Sequence, residues 1–459
     1  MLPMLTPSLH NMRRFFESGT TRSFVFRKEQ LKKLKAGLYK YEKELHNALF
    51  TDLGKSPEES WVTETGFVLN EIGYTLKNLQ QWMQPEKVRT NLLNLPSTSY
   101  ILREPLGVVL IIGPWNYPLQ LLFTPLAGAI AAGNTVVLKS SEFAPATSAV
   151  MKKLIEENFS QEYISLIEGD GATVVPEMMN EFRFDHLFYT GSTTVGKIIY
   201  KMAAEKLVPV TLELGGKSPG VVEADANIKV AARRIAMTKF SNAGQMCVAP
   251  DYVLVHESVK ETFLSYLKQT IVKFFSGDPS KDYSYCHIIN EKQFNRLLQY
   301  LNDGTIIHGG RHEKSKLYIE PTILDNVSPD AMIMKEEIFG PILPVIAFRS
   351  FDEAKEIISR NPNSLAFYIF TSSVKKEKKW LEEIPSGGAC VNNASWHLTN
   401  HHLPFGGRGN SGLGEYHGKN SFEVFSHRKA VMKTPTWFDP DIKYPPFKGK
   451  LKLFKWVVR

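Results

Sequence analysis

Residues 106–138 carry no charged side chain. A run that long must be buried, either in lipid or in protein. Its middle reads Gly113-Pro114-Trp115-Asn116-Tyr117-Pro118, and irregular backbone at that depth of a bilayer would leave peptide groups without partners. The run therefore reads as a buried strand, a loop and a helix inside a folded protein, and no membrane-spanning segment is expected. The chain beyond it is of the same kind. Short apolar runs at 106–112, 135–138, 163–167, 186–189 and 208–214 lack polar alternation. Helical stretches near 118–132, 144–159, 172–179 and 193–204 are long enough to be crossovers between them. Strands of that composition joined that way predict a parallel sheet covered on both faces, an α/β domain of the dinucleotide-binding type.

Upstream, Leu31, Leu34, Leu38, Tyr41, Leu45 and Leu49 recur at three- and four-residue steps, giving a helical region with one docking face. A second helix is expected after Ser56-Pro57-Glu58-Glu59, with a serine N-cap, a first-turn proline and a glutamate in the capping-box position, running to about Gln81. Downstream of Gly215 a second α/β unit is expected. It has a helix at 231–240, a strand at 252–255, a helix opened by Ser258 with Glu261, a helix opened by Ser350 with Glu353, and a strand at 365–370. Glycine-rich residues 403–418 read as loop. A chain of 459 residues exceeds what one hydrophobic core usually supports, so two or more packed units fit its length.

Only Cys247, Cys286 and Cys390 carry thiols, too few and too scattered for a disulfide framework or a C-x-x-C metal site. A reducing compartment and no bound metal are expected. Arg13 and Arg14 are followed by no apolar h-region, so no secretory signal is read. The net charge of +8 is spread among acids, with dense spots at Lys375-Lys376-Glu377-Lys378-Lys379 and at 448–459. No nucleic-acid-binding module accompanies them, and solvated charge is the default reading. The tail alternates Lys450, Leu451, Lys452 and Leu453 and closes on Lys455-Trp456-Val457-Val458, which leaves weak contact with an anionic membrane as a minority alternative.

Five local patterns bear on chemistry. Asn116, pinned between prolines after the first strand, suits a hydrogen-bond donor to a developing oxyanion or, equally, a cap on the next helix. Lys139 and Glu142 beyond the second strand suit a grip on ribose hydroxyls, or else form a surface ion pair. In Phe188-Tyr189-Thr190-Gly191-Ser192-Thr193-Thr194-Val195-Gly196 a strand turns into a helix whose N–H groups suit a phosphate, although the middle glycine of G-x-G-x-x-G is missing. Glu213, before Gly215 and Gly216, suits a general base acting on water, or a helix cap or lysine partner. Cys247, in Asn242-Ala243-Gly244-Gln245-Met246-Cys247-Val248-Ala249-Pro250, is by base rate small apolar filling, but the bent loop suits presentation at a cleft. Cys286 and Cys390 read as structural.

Taken in order, these motifs resemble the aldehyde dehydrogenase superfamily, and within it the class 3 or fatty-aldehyde type. Glu336-Glu337-Ile338-Phe339-Gly340-Pro341, Pro404-Phe405-Gly406-Gly407 and Ser411-Gly412 match as well, so the likeness spans nearly the whole chain. It implies an NAD(P)-dependent enzyme that converts an aldehyde, medium- or long-chain aliphatic or aromatic, to a carboxylic acid through a cysteine thiohemiacetal and thioester. It implies Cys247 as nucleophile, Asn116 as oxyanion donor and Glu213 as general base. It also implies Lys139 and Glu142 at the adenine ribose, Gly191, Ser192 and Gly196 against the pyrophosphate, Glu337 at the nicotinamide ribose and Phe339 as a wall of the cofactor site. NAD is the expected cofactor, with NADP left open. Ser140 stands where many members carry proline, and Met246 where class 3 enzymes carry threonine.

The resemblance also implies a homodimer. It implies that residues 1–82 form the helical part of a cofactor domain whose dinucleotide-binding sheet spans 105–210, with a second α/β catalytic domain at 211–400. Residues 83–104 and 401–459 supply an oligomerisation extension and the closing loop. A cytoplasmic location is expected, since no apolar anchor follows. Two rivals use the same fold: a coenzyme-A-acylating dehydrogenase, and a non-catalytic scaffold or binding protein.

Overall fold

The computed structural model describes residues 5–457. The two ends, including Val458 and Arg459 of the basic tail, lie outside the described residues. The uncharged run becomes the centre of the molecule. Strand Val108–Ile112 is buried at every position, and all residues of helix Gln120–Ala132 are buried. Its polar ends are satisfied from afar. Arg27 donates to the Ala131 carbonyl (3.0 Å), and Asn134 accepts from Gly107 N–H (2.9 Å) while donating to the Phe425 carbonyl (2.9 Å).

Around this strand lies a six-stranded sheet in the order Gly412–Leu413, Val210–Leu214, His186–Gly191, Val108–Ile112, Thr135–Lys139, Ile164–Ile167. All neighbours are parallel except the first pair. The chain winds outward from Val108–Ile112 in one direction and then returns to its other side, so the loops after Val108–Ile112 and His186–Gly191 diverge. That divergence makes a crevice at the C-terminal ends of the strands. A second sheet of seven strands runs Thr305–His308, Thr322–Asp325, Ile342–Phe348, Tyr252–His256, Pro219–Val222, Ser364–Phe370, Ser386–Val391. Only its Thr305–His308 edge is antiparallel. A third, antiparallel sheet joins Glu86–Val88, Thr98–Pro105 and Ser426–Lys433 and packs little of its surface away. Among the described residues no helix is long and apolar enough to cross a membrane.

The expected α/β architecture is present, with several corrections. The first helical region is two helices, Phe24–Lys40 and Glu42–Leu53, broken at Tyr41. Ser56 does cap the next helix, accepting from Glu59 N–H (3.2 Å). That helix widens into a π turn at Trp61–Thr65 before continuing as Gly66–Trp82. Ser258 caps nothing: it sits in a 3₁₀ turn, its N–H is bound by His256 Nδ1 (3.3 Å), and the helix begins at Lys260. The glycine-rich loop contains the strand Gly412–Leu413, with Gly412 opposite Glu213. A domain boundary at 210/211 would cut strand Val210–Leu214, which pairs wholly within the first sheet. The chain changes sheet between Leu214 and Pro219.

Candidate active site

Cys247 follows a backbone that had to be forced into shape. After helix Ile228–Phe240, Asn242 (φ 49°), Ala243 (φ 50°) and Gly244 (φ 74°) are successively left-handed, which costs a non-glycine residue roughly 1–2 kcal/mol. Hydrogen bonds hold the turn. The Glu59 carboxylate accepts from Asn242 N–H (2.9 Å). Gln245 donates to the carbonyls of Asn242 (3.1 Å) and His287 (3.0 Å) and accepts from Ile289 N–H (3.0 Å). Glu59, which the sequence places in a capping box, thus serves this turn and not its own helix.

The turn sets Cys247 at the junction of two cavities. One, of about 530 Å³, opens at the C-terminal ends of the first sheet and is lined by Asn116, Gly191, Ser192, Glu213, Glu337 and Phe339 among others. The other, of about 200 Å³, is bounded by Phe67, Tyr117, Met246, Leu398 and Phe405. Cys247 and Leu121 line both. Burial, followed by the charges of Glu337 and Glu213, pushes the Cys247 thiol up to about 12, against the pull of its own and Val248's N–H groups. These influences favour the protonated sulfur.

Asn116 is buried, and its amide donates to the Gln245 carbonyl (3.0 Å). The amide carries a second N–H. It does not cap the following helix, because Glu64 accepts from the N–H groups of Leu119 (3.1 Å) and Gln120 (2.8 Å). That decides against the capping alternative. Glu213, next to last in strand Val210–Leu214, is 3% exposed, and neither carboxylate oxygen has a hydrogen-bond partner. Burial, reinforced by Glu415, holds its carboxyl well above the usual range. Lys217, the lysine nearest to it in sequence, is engaged with Asp251 and with the Ile333 (2.7 Å) and Glu336 (2.9 Å) carbonyls.

At the cofactor-side residues, Ser192 caps helix Thr193–Glu205 through Val195 N–H (3.4 Å), and Gly191 and Ser192 face the larger cavity. Gly196 lies behind them: a Cβ there would meet Leu214 at 2.6 Å, so this glycine lets the helix approach the strand. Burial, then Asp251, pushes Glu337 up to about 8, and one of its oxygens lacks a partner. A Cβ on Gly215 would collide with that carboxylate. Phe339 stands edge-on to Trp115, centroids 5.4 Å apart. Lys139 and Glu142 are outside the lining of this cavity, at the end of the next strand. Their ion pair (3.4 Å) joins a buried lysine, 1% exposed and with its pKa lowered by burial, to an exposed carboxylate.

Sequence reasoning missed Arg296. It donates to the carbonyls of Ile338 (2.7 Å) and Glu337 (3.3 Å) and so holds the segment bearing Glu337. Nothing in an amphipathic helix such as Glu291–Tyr300 marks one arginine as inward-facing. The other thiols stand apart from both cavities. Cys286 donates to Glu59 (3.4 Å), and Cys390 lies 3.2 Å from His397 Nδ1.

Comparisons with known proteins agree with this geometry. The aldehyde dehydrogenase family model matches residues 9–431. The chain is 45% identical to the 4,4'-diaponeurosporen-aldehyde dehydrogenase of Staphylococcus aureus, over 98% of each chain. It is 42% identical to the dimeric NADP-preferring aldehyde dehydrogenase of Rattus norvegicus, over 97% of this chain and 99% of that one. A solved structure described as the substrate-bound state of Staphylococcus aureus AldH superposes with a TM-score of 0.97 at 44% identity, covering 99% of this chain and 100% of its own.

Proposed function

The chain belongs to the aldehyde dehydrogenase family and oxidises an aldehyde with NAD or NADP; on that premise we propose how its residues divide the work. The observation that carries the reading is the position of Cys247, shared by a polar and an apolar cavity, with the unpaired carboxylate of Glu213 lining the polar one.

The residues present fit a dinucleotide in the larger cavity. Helix Thr193–Glu205 offers its N-terminus, Glu337 offers an unpartnered acceptor, and Gly215, lacking a side chain, lets the Glu337 carboxylate lie against the strand end. Gly191 and Ser192 would hold the pyrophosphate with Gly196 behind them, Lys139 and Glu142 the adenine ribose, Glu337 the nicotinamide ribose, and Phe339 a wall. When bound, the dinucleotide supplies the hydride acceptor that no side chain provides. The Cys247 sulfur, once deprotonated, attacks the aldehyde carbon, and the oxygen that becomes negative takes hydrogen bonds from the Asn116 amide and the Cys247 N–H. The C–H electrons leave as hydride and a thioester remains on Cys247. Glu213 takes a proton from water, and that water cleaves the thioester to acid and free thiol. Neither acyl transfer to coenzyme A nor a scaffold role is favoured by the relatives.

The apolar cavity supports medium- or long-chain aliphatic or aromatic aldehydes, as does the relative named for 4,4'-diaponeurosporen-aldehyde. A relative named as dimeric and the exposed third sheet support a homodimer built through that sheet, with the cofactor domain, catalytic domain and extension divided near 214/219. Three free cysteines support a cytoplasmic location. Exposed Trp437, Leu451 and Trp456 among the tail lysines support weak contact with anionic membranes. For the core of this reading the test is Cys247→Ala. It is expected to abolish NAD(P)H formation while dinucleotide binding, followed by fluorescence, persists; appreciable oxidation by the variant rejects Cys247 as nucleophile.

A further inference from the structure

Lys55 and Glu64 form an ion pair (2.6 Å) in which both side chains are fully buried. Neither residue lines the cavities, yet both grip the loop that carries Asn116. Lys55 Nζ donates to the Asn116 carbonyl (2.8 Å) and sits over the Tyr117 ring, 3.8 Å from its centroid. Glu64 accepts from the N–H groups of Leu119 and Gln120 at the far end of the loop. A second donor, Asn242 Nδ2, reaches the same Asn116 carbonyl (2.9 Å) from the turn that leads to Cys247.

Taking two charges out of water offsets most of their attraction, so such a pair contributes little to stability compared with apolar filling. What it does supply is direction. With one end of the loop held through a carbonyl and the other through two N–H groups, the Asn116 peptide cannot rotate without breaking a buried charged hydrogen bond. The amide at the end of that short side chain is then aimed by the backbone. The supporting segment also reaches the other half of the site: Glu59, one turn earlier, holds Asn242 N–H, and Val62 and Thr63 of the intervening π turn line the apolar cavity. π turns of this kind are frequent at functional sites.

We propose that Lys55 and Glu64 are positioning residues for the oxidation, holding the Asn116 peptide so that its amide meets the oxygen of an aldehyde bound to Cys247. The inference rests on the role proposed for Asn116 as oxyanion donor, and the pair acts only through that residue.

The test is a double-mutant cycle between Lys55→Met and Asn116→Ala, with four readouts: kcat, aldehyde KM, NADH binding by fluorescence, and the rate of Cys247 alkylation by iodoacetamide. Asn116→Ala is expected to lower kcat by about 10²–10³-fold, and Lys55→Met by about 10–100-fold, the scale of a misplaced group. For Lys55→Met, KM, NADH binding and alkylation stay within about twofold, and adding it to Asn116→Ala costs nothing further, because coupled residues are not additive. If the two losses multiply, or if Lys55→Met weakens NADH binding or alkylation, the pair acts by another route and the proposal fails. An Asn116→Ala enzyme with full kcat overturns the role of Asn116 and the proposal with it. Loss in Asn116→Ala but none in Lys55→Met overturns the positioning pair alone. Should Lys55→Met not fold, Lys55→Met/Glu64→Met removes both charges together and is held to the same outcomes.

Discussion

The two cavities that meet at Cys247 differ in how their walls are made. The larger is framed by the ends of parallel strands and the loops that leave them, so its polar groups arrive in compact motifs: Asn116 after one strand, Ser192 after another, Glu213 and Gly215 at a third. The smaller collects single side chains from separate segments, with Tyr117 and Phe405 taken from motifs and Phe67, Met237 and Leu398 from none. On the proposed reading, the chemistry common to all substrates sits on the wall built from these motifs. On the same reading, discrimination between substrates falls to the wall assembled from separate segments.

The sharpest way to separate the walls is Glu213→Gln, which removes the proposed base from the polar side and leaves the apolar side untouched. Steady-state kcat is expected to fall by about 10²–10⁴-fold, while a burst of NAD(P)H survives and the acyl-enzyme accumulates. Because burial holds the Glu213 carboxyl well above its ordinary range, the rate of the unaltered enzyme is expected to rise with pH beyond the usual glutamate window. The variant should lose that limb, and unchanged acyl-enzyme lifetime would count against the base assignment.

A smaller effect tests the other wall. Phe67→Ala opens the apolar cavity and is expected to raise KM for a long aliphatic aldehyde by about tenfold, in line with the area a phenyl ring buries. KM for a short aldehyde and for the dinucleotide should hardly move. Equal rises for all three would break the division between the cavities.

The smallest concerns stability. Glu337, ordinarily near 4.5, is pushed by burial up to about 8, so the folded chain keeps a proton that the unfolded chain releases. The stability from this group is complete below the ordinary glutamate value and is lost as pH rises through about 8. Glu337→Gln, with nothing to lose, should gain a few degrees of Tm relative to the parent between about pH 5 and pH 9. A constant difference across that range would contradict the burial of an ionisable carboxyl.

Much of this was legible beforehand where local pattern and tertiary demand coincide. The buried strands lack alternation because helices cover both faces, and so Val108–Ile112 and Thr135–Lys139 lie close to where hydropathy puts them. The site residues Asn116, Glu213, Cys247 and Glu337 were legible through motif order, and the structure brings these four to one cavity. What escaped depends on contacts distant in sequence. Glu59 looks like a capping-box glutamate, but its partner is Asn242. Lys55 and Glu64 look like surface charges, yet each reaches the Asn116 loop. The break at Tyr41 leaves the apolar period intact and so leaves no trace in spacing. Glycines at 403–418 read as loop because a two-residue strand is too short to show a pattern.

That two-residue strand bears on how the molecule is made. Gly412 pairs with Glu213, and the Ser411 carbonyl receives Leu214 N–H (3.0 Å). Until residue 412 is in place, the edge beside Glu213 stands open, with unpaired peptide groups of the sort that recruit stray chains. A chain cut short before residue 412 would keep that edge open and is expected to aggregate more readily than the full chain.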